Sequence, residues 1–184
     1  MSPEGQLDTA HTGKIYRIAA STPYRDEQIL EWNKYGGIMI ISNRLFGNYV
    51  TKNGQIKDIL LEGPGIIVAD EAHFMKNPAA AITKAASQFK STSRIAISGS
   101  PLQNYLSEYW TMIEWIDPGY LGPLSEFEAK YARPIQDGLH TDSTRAEQRQ
   151  SLKMLYTLKV DLGPKVIPKN CISMLGVFNQ IYPQ

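Results

Sequence analysis

The chain has 184 residues, of which 42% are apolar and 20% are charged, and its formal net charge is +1. These proportions are typical of a soluble globular protein with its own core, and the near-zero charge excludes a strong overall attraction to nucleic acid or membranes. Cys171 is the only cysteine, which excludes an internal disulfide. No apolar run approaches the roughly 20 residues of a membrane span, so we predict no membrane partner.

Apolar runs, caps and turn residues predict strands that alternate with helices. Asn77 would cap a helix that begins at Pro78, and residues 133–143 are predicted to be a loop. In chain order, the predicted elements are a strand at 14–20, a helix at 24–34, a strand at 38–41, an ambiguous segment at 56–61 that could be helical, a strand at 66–69, a helix at 78–89, a strand at 94–97, and helices at 104–116, 124–131 and 144–159.

Apolar positions on three of the helices predict which side of each is buried. On the helix at 104–116 these positions recur at spacings of three and four residues. The predicted inward residues are Ile29, Leu30 and Trp32 on the first helix, Leu106, Tyr109, Trp110, Ile113 and Ile116 on the helix at 104–116, and Leu152, Leu155, Tyr156 and Leu158 on the last helix.

The alternation predicts an α/β fold in which a parallel sheet carries helices on its faces. The run at 66–69 is entirely apolar, which predicts a strand that is buried on both faces. Three strands stop at polar residues, and parallel strands would bring their ends to one rim, where open α/β sheets bind ligands. These ends are Ser42, Asn43 and Arg44; Asp70 and Glu71; and Ser98, Gly99 and Ser100.

Asp70 and Glu71 come directly after the predicted buried strand, and His73 lies two places further on. Carboxylates carried toward a protein interior are costly unless they are paired or bind a metal. An acidic pair at the mouth of a sheet therefore indicates Mg²⁺ and a water molecule to be activated. The alternative is a strand that simply ends in a polar loop.

Arg145, Arg149 and Lys153 stand four residues apart on the last predicted helix, and hence on one face. Such a cationic face could contact a phosphate backbone. The alternative is an ordinary solvated helix face.

The acidic pair belongs to longer motifs that resemble a known family. DEAHFMKN at 70–77, SGSPLQN at 98–104 and the following positions Glu108 and Trp110 resemble motifs II and III of the SWI/SNF-related helicase-like ATPases of superfamily 2. The segment YARPIQDG at 131–138, with Asp142-Ser143-Thr144 beyond it, resembles the branch of Rad-fifty-four and the alpha-thalassaemia-X-linked remodeller. The resemblance covers roughly residues 30 to 165.

The resemblance implies a RecA-like lobe that works with a second lobe, with ATP between them and duplex DNA or a nucleosome as partner, in the nucleus. By the same resemblance, Asp70 holds Mg²⁺ through water, and Glu71 orients or deprotonates the attacking water. His73 would couple this site to the loop of Ser98, Gly99, Ser100 and Gln103, whereas Lys76 and Asn77 could simply brace the next helix. Ser42, Asn43 and Arg44 occupy the position of a DNA-contacting motif.

The chain departs from the family pattern because it lacks the P-loop, G-x-x-x-x-G-K-[ST]. Gly13-Lys14 resembles the end of that motif, but Asp8 stands where the first glycine is required and Ile15 where Ser or Thr is required. The second lobe is also absent, so we expect a fragment that is inactive alone, with no residue that binds the nucleotide. The expected divisions are a disordered start at 1–13, a partial first lobe at 14–120, a helical extension at 121–163 and an irregular tail at 164–184.

Two other functions stay open at this point. The chain could be a non-catalytic module that binds DNA or protein through Arg145, Arg149 and Lys153. It could also be part of a DEAH RNA helicase, although the KN after DEAH and the PLQN after the serine loop argue against that class.

Overall fold

The computed structural model describes residues 13–52, 54–75, 77–98 and 106–165. Over these residues the chain forms four strands and eight α-helices, with a 3₁₀ turn at Ala72–Met75 and a wider π-helical turn at Glu128–Ala132. The elements are β1 (Ile15–Ile18), α1 (Arg25–Tyr35), β2 (Ile38–Ile41), α2 (Asn43–Val50), α3 (Gln55–Glu62), β3 (Ile67–Ala69), α4 (Ala81–Ala86), β4 (Arg94–Ala96), α5 (Leu106–Ile116), α6 (Leu124–Phe127), α7 (Arg133–Asp137) and α8 (Arg145–Leu162).

The chain divides into two compact units, one made of residues 1–68 and 78–95 and the other of residues 69–77 and 96–184. The strand pairs are β1 with β2 and β3 with β4, so the described strands make two two-stranded sheets. The predicted α/β class, with parallel strands flanked by helices and a helical C-terminal part, is confirmed. The predicted divisions at residues 120 and 163 stay predictions, and the expected disordered start lies almost wholly outside the described residues.

In the first unit, β1 and β2 are parallel and joined through α1, with Ile15 opposite Ile38 and Ile18 opposite Ile41. Helix α1 packs on β1, and Ile29 and Trp32 are buried there. Leu30 was predicted to lie inward but is exposed, because it points away from the strand that α1 covers.

Gly37 sets the start of this strand pair. The Ile38 N–H donates to the Lys14 carbonyl over 3.0 Å, and a Cβ on Gly37 would stand only 2.3 Å from the same oxygen. Gly37 also has a φ of +111°, which side-chain-bearing residues rarely adopt. Only glycine therefore fits at the point where β2 approaches β1.

Helix α2 was not predicted. Ser42 caps it, since its Oγ accepts the Leu45 N–H over 3.4 Å, and this cap is of the type that favours helix starts. Leu45, Phe46 and Val50 are buried, and the Phe46 ring stacks on Phe89 at 4.8 Å. The neighbouring ambiguous segment is the helix α3.

The pair of β3 and β4 corrects the expectation of a strand buried on both faces. The Ile67 N–H donates to Ser93 O, and the Ile97 N–H donates to Ala69 O. The residue numbers of the bonded partners rise in the same direction on both strands, which is the pattern of a parallel pair. However, Ile66, Val68 and Ile95 are each more than half exposed. One face of the pair is therefore open to solvent.

Helix α4 begins at Ala81, after extended Ala80, and its N-terminus has no side-chain cap. The predicted start at Pro78 with Asn77 as cap is therefore wrong. The helix is shorter than predicted because residues 78–80 form a turn instead of a first helical turn.

The second unit contains helices α5 to α8. Tyr109 and Ile113 of α5 are buried as predicted, whereas Leu106, Trp110 and Ile116 are only partly covered. Burial raises the pKa of Tyr109 to about 12, so this phenol stays neutral at all ordinary pH values.

Residues 133–143, predicted as a loop, begin with helix α7. This helix packs against α8 at Gly138, where a Cβ would stand 2.3 Å from the Ser151 Cβ and 2.8 Å from the Glu147 carbonyl oxygen. Ser151 is fully buried, and its hydroxyl donates to the Ile135 carbonyl over 3.1 Å. The PI-x-x-G segment is thus a close helix contact.

Helix α8 was predicted correctly in position, but not in orientation. Leu155 and Leu158 are buried as expected, whereas Leu152 and Tyr156 are exposed, contrary to the prediction. The buried side is instead completed by Ser151 and Leu162. The contact with α7 selects this side, because the small side chain of Ser151 lies directly against Gly138.

A capping box begins α8, and it predicts a dependence on pH. The Thr144 N–H donates to Glu147 Oε2 over 2.7 Å, and the Glu147 N–H donates to Thr144 Oγ1 over 3.3 Å. The backbone hydrogen bond from Thr144 is the largest cause that lowers the pKa of Glu147 below its usual 4.5. A lowered carboxyl pKa stabilises the fold above the unfolded pKa, and this stability is lost as pH falls through the folded pKa.

We therefore expect the first turn of α8 to lose hydrogen-exchange protection as the pH is lowered from 6 to below 4.5. Glu147→Ala should show low protection at both pH values, whereas a matched change at exposed Glu27 of α1 should leave the wild-type pH profile unchanged. A wild-type first turn that stays equally protected below the folded pKa would contradict this prediction.

Candidate functional site

Asp70 and Glu71 lie in a tight turn directly after β3. Asp70 Oδ1 accepts the Glu71 N–H over 2.9 Å, and the Glu71 carbonyl accepts the Phe74 N–H over 3.1 Å. Ala72 and Met75, on the 3₁₀ turn that follows, are fully buried and anchor it against α5. The apolar side of the turn thus fixes its backbone while the acidic side faces solvent.

The ends of β3 and β4 meet at this turn. The Ile97 N–H donates to Ala69 O and the Ala72 N–H donates to Ile97 O, each over 2.8 Å. Ile97 is therefore bonded to the two residues that flank Asp70 and Glu71 in the chain, Ala69 and Ala72. Half-buried Ser98 follows Ile97 directly. Two of the three predicted strand ends thus lie side by side.

Glu71 and His73 form a pair at the tip of the turn. Glu71 has a φ of +51°, an unusual left-handed conformation for a residue with a side chain. This conformation places Glu71 Oε2 3.0 Å from His73 Nδ1. The sequence identified both residues but gave no sign of this local pair or of the positive φ.

The carboxylates are not buried, contrary to the sequence-based expectation. Asp70, Glu71 and His73 are all exposed, because β3 itself has an open face. Asp70 Oδ2 accepts no hydrogen bond from any of the described residues. The side chain is therefore available to a ligand without the cost of a buried charge.

These residues fit Mg²⁺ held through water. Magnesium keeps several waters and commonly uses one or two carboxylates together with substrate phosphates. Asp70 can supply one such oxygen ligand, because its Oδ2 accepts no hydrogen bond from the described residues. Within the described residues no group of three His, Cys, Asp or Glu side chains could hold a metal directly.

The other predicted site residues are placed as follows. Ser42, Asn43 and Arg44 are exposed at the start of α2, where the Ser42 hydroxyl already caps the helix. Gly99, Ser100 and Gln103, together with Lys76, lie outside the described residues, so the predicted coupling of His73 to the serine loop stays a prediction.

The predicted cationic face is present on α8, where Arg145, Arg149 and Lys153 are all exposed. Among the described residues none of them forms an ion pair. The structure therefore agrees with a solvated cationic surface, and does not by itself identify a ligand.

A polar cluster around Asp161 was not predicted. The Tyr131 hydroxyl donates to Asp161 Oδ2, the Tyr120 hydroxyl donates to Asp161 O over 2.6 Å, and Lys130 Nζ lies 3.7 Å from Oδ2. A cavity of about 340 Å³ lies beside these side chains.

Comparison with known proteins decides the family. Residues 32–177 match the family described as SNF2-related domain. The chain belongs to this SNF2-related family. No helix in the described parts of this SNF2-related chain is long and apolar enough to cross a membrane.

Individual relatives agree with this assignment. The chain is 34% identical over 168 residues to Protein CHROMATIN REMODELING 20 of Arabidopsis thaliana, covering 78% of this chain and 11% of the relative. It is 36% identical over 143 residues to the mouse Transcriptional regulator ATRX, covering 73% and 6%. The Zorya protein ZorD of Escherichia coli O139:H28 is 34% identical over 143 residues, covering 73% and 13%. The predicted remodeller branch is confirmed, and the chain spans about a tenth of the length of these relatives.

Among solved structures, the chain resembles the Sulfolobus solfataricus SWI2/SNF2 ATPase core in complex with dsDNA. The TM-score is 0.48 at 22% sequence identity, over 85% of this chain and 33% of the other.

Proposed function

We propose that this SNF2-related chain supplies the water-activating and coupling motifs of an ATP-driven DNA translocase or chromatin remodeller. The observation that supports this best is the turn of Asp70 and Glu71 beside the end of β4, with Ser98 following directly. In the family pattern these are the positions of motifs II and III. Phosphoryl transfer needs mainly positioning and charge neutralisation, which two exposed carboxylates on a fixed turn can provide.

Each residue has a separate role in this proposal. Asp70 holds Mg²⁺ through water, and the bound ion would neutralise charge on the β- and γ-phosphates of ATP. Glu71 orients or deprotonates the attacking water, and His73 holds Glu71 by the contact between Nδ1 and Oε2. His73 also couples the site to the loop of Ser98, Gly99, Ser100 and Gln103.

The proposed partner is double-stranded DNA, free or in a nucleosome, and the proposed location is the nucleus. The similarity to the plant protein CHROMATIN REMODELING 20 supports a chromatin setting. Ser42, Asn43 and Arg44 are proposed to touch the DNA backbone, because they are exposed at the start of α2.

We predict that the purified 184-residue chain does not hydrolyse ATP, with or without duplex DNA, because its sequence contains no G-x-x-x-x-G-K-[ST] loop to hold the triphosphate. Phosphate release should stay at the level of buffer in a coupled assay. DNA-stimulated release that Glu71→Gln abolishes would contradict the predicted inactivity while supporting the assigned role of Glu71.

A second candidate function is that of a binding module that acts through α8. The observation that favours it is the exposed and unpaired state of Arg145, Arg149 and Lys153 among the described residues. Salt-sensitive binding of DNA that is lost when the charges of these three residues are reversed would support this function.

A further inference from the structure

Helix α8 exposes two kinds of side chain that the proposed ATPase chemistry does not use. Residues three or four positions apart share one side of a helix. By this spacing four cations and three apolar residues lie together on the side that faces solvent. We name this side the α8 outer face, and it consists of Arg145, Arg149, Leu152, Lys153, Tyr156, Lys159 and Val160.

The apolar part of the α8 outer face is a straight row. Leu152, Tyr156 and Val160 are 40%, 67% and 56% exposed, and their spacing of four residues spans about 12 Å of helix. The core is served by the other side of α8, where Ser151 and Leu155 are buried. The outer row is therefore surplus to the packing of this unit.

Among the residues that the structure describes, no acid balances the charged part of the α8 outer face. Both acids of α8 are engaged elsewhere: Glu147 caps the helix through Thr144, and Asp161 accepts the Tyr131 hydroxyl. The four cations form no ion pair with any described residue. The face is thus positively charged as well as apolar.

We propose that the α8 outer face is a docking site for an acidic amphipathic helix of another protein. Such a helix would place apolar side chains against the row of Leu152, Tyr156 and Val160, and carboxylates against the flanking cations. A DNA backbone would also pair with the cations, but it would leave the three apolar side chains against phosphate or solvent. Docking of this kind deepens the second candidate function and does not depend on ATP hydrolysis.

Fluorescence anisotropy on the complete 184-residue chain tests this docking. The probe is a labelled helical peptide of about 20 residues with leucine at alternating spacings of three and four, flanked by glutamate. A scrambled peptide of the same composition and a short DNA duplex serve as comparisons. We expect the acidic amphipathic peptide to bind, and the scrambled peptide and the duplex to bind at least ~10-fold more weakly.

Two variants separate the two halves of the face. Arg149→Glu with Lys153→Glu, and separately Leu152→Ser with Tyr156→Ser, should each weaken peptide binding at least ~10-fold. The matched control is Lys52→Glu with Lys84→Glu, which reverses two exposed lysines of the first unit and should leave binding unchanged. Circular dichroism confirms that each variant is folded, and Tyr156→Ser alone is the substitute if the double variant unfolds.

Three results would overturn the docking. They are no binding of the amphipathic peptide to the folded chain, equal binding of the scrambled peptide, and tight binding of the duplex that only the charge reversal weakens. The last result would identify the α8 outer face as a nucleic-acid contact. ATPase measurements do not enter this test, so its failure leaves the proposed ATPase role untouched.

Discussion

Gly37→Ala is expected to destabilise the chain by roughly 2 to 5 kcal/mol, the combined cost of a strained φ and an overpacked contact. The φ of +111° disfavours any Cβ, and the added Cβ would stand 2.3 Å from the Lys14 carbonyl oxygen. That oxygen accepts the first hydrogen bond between β1 and β2, so relief of the clash would shift the strand register. Urea unfolding followed by far-UV circular dichroism measures the loss.

Gly36→Ala is the matched control for this prediction. Gly36 also has a positive φ, of +74°, but a Cβ there would meet no heavy atom within 4 Å. Its substitution should therefore carry only the conformational cost, about 1 to 2 kcal/mol. Equal unfolding midpoints for the two variants would show that the close approach of β2 to Lys14 does not contribute.

Glu71→Gln is expected to lower ATP turnover by about 10²- to 10⁴-fold, the usual range for a lost general base, in a protein that supplies the missing nucleotide-binding parts. A suitable protein is a chimera in which residues 32–177 replace the matching segment of the mouse relative. Glutamine keeps the size of Glu71 and can still meet His73, but it cannot accept a proton from water. Single-turnover phosphate release measures the effect.

The control for this variant is Glu62→Gln, which makes the same chemical change at an exposed acid at the end of α3. It should retain the full rate of the chimera, and the unmodified mouse relative shows the rate that a complete protein reaches. A Glu71→Gln chimera that binds MgATP and keeps half of the rate of the unsubstituted chimera would contradict the proposed role of Glu71.

The positions of the strands could be predicted from the sequence because β3 is a run of β-branched and small apolar residues and β4 carries Ile95 and Ala96 between turns. Burial could not be predicted from the same pattern. An all-apolar run indicates a strand with both faces covered, but β3 has no cover over Val68 among the described residues. Covering surfaces come from distant parts of a polypeptide, and local composition does not record them.

Helix α8 shows the same limit for helices. Its apolar residues fall on two sides, one with Leu155 and Leu158 and the other with Leu152 and Tyr156. Periodicity finds both sides, but the contact between Gly138 and Ser151 decides which one is buried. That decision rests on residues in two different helices, so it could not be predicted from α8 alone.

The residues of the candidate site could be named from the order of the motif, whereas their roles stay predictions. Asp70, Glu71 and His73 occur on one turn, as the DEAH order requires. What the sequence could not supply is the left-handed backbone of Glu71 and its contact with His73. A conformation of this kind depends on how Ala72 is held by Ile97, which follows β4 directly in the chain.

The open face of β3 and β4 also affects how mutations in this region would be tolerated. An apolar side chain that stays in water adds little to the free energy of unfolding, so threonine at Ile66, Val68 or Ile95 should cost this chain almost nothing. Wherever a further polypeptide covers these strands, the same substitutions would remove buried methyl groups and become costly. A substitution scan of these three positions, in the chain alone and in the chimera, would therefore report directly on whether the strands acquire a second layer.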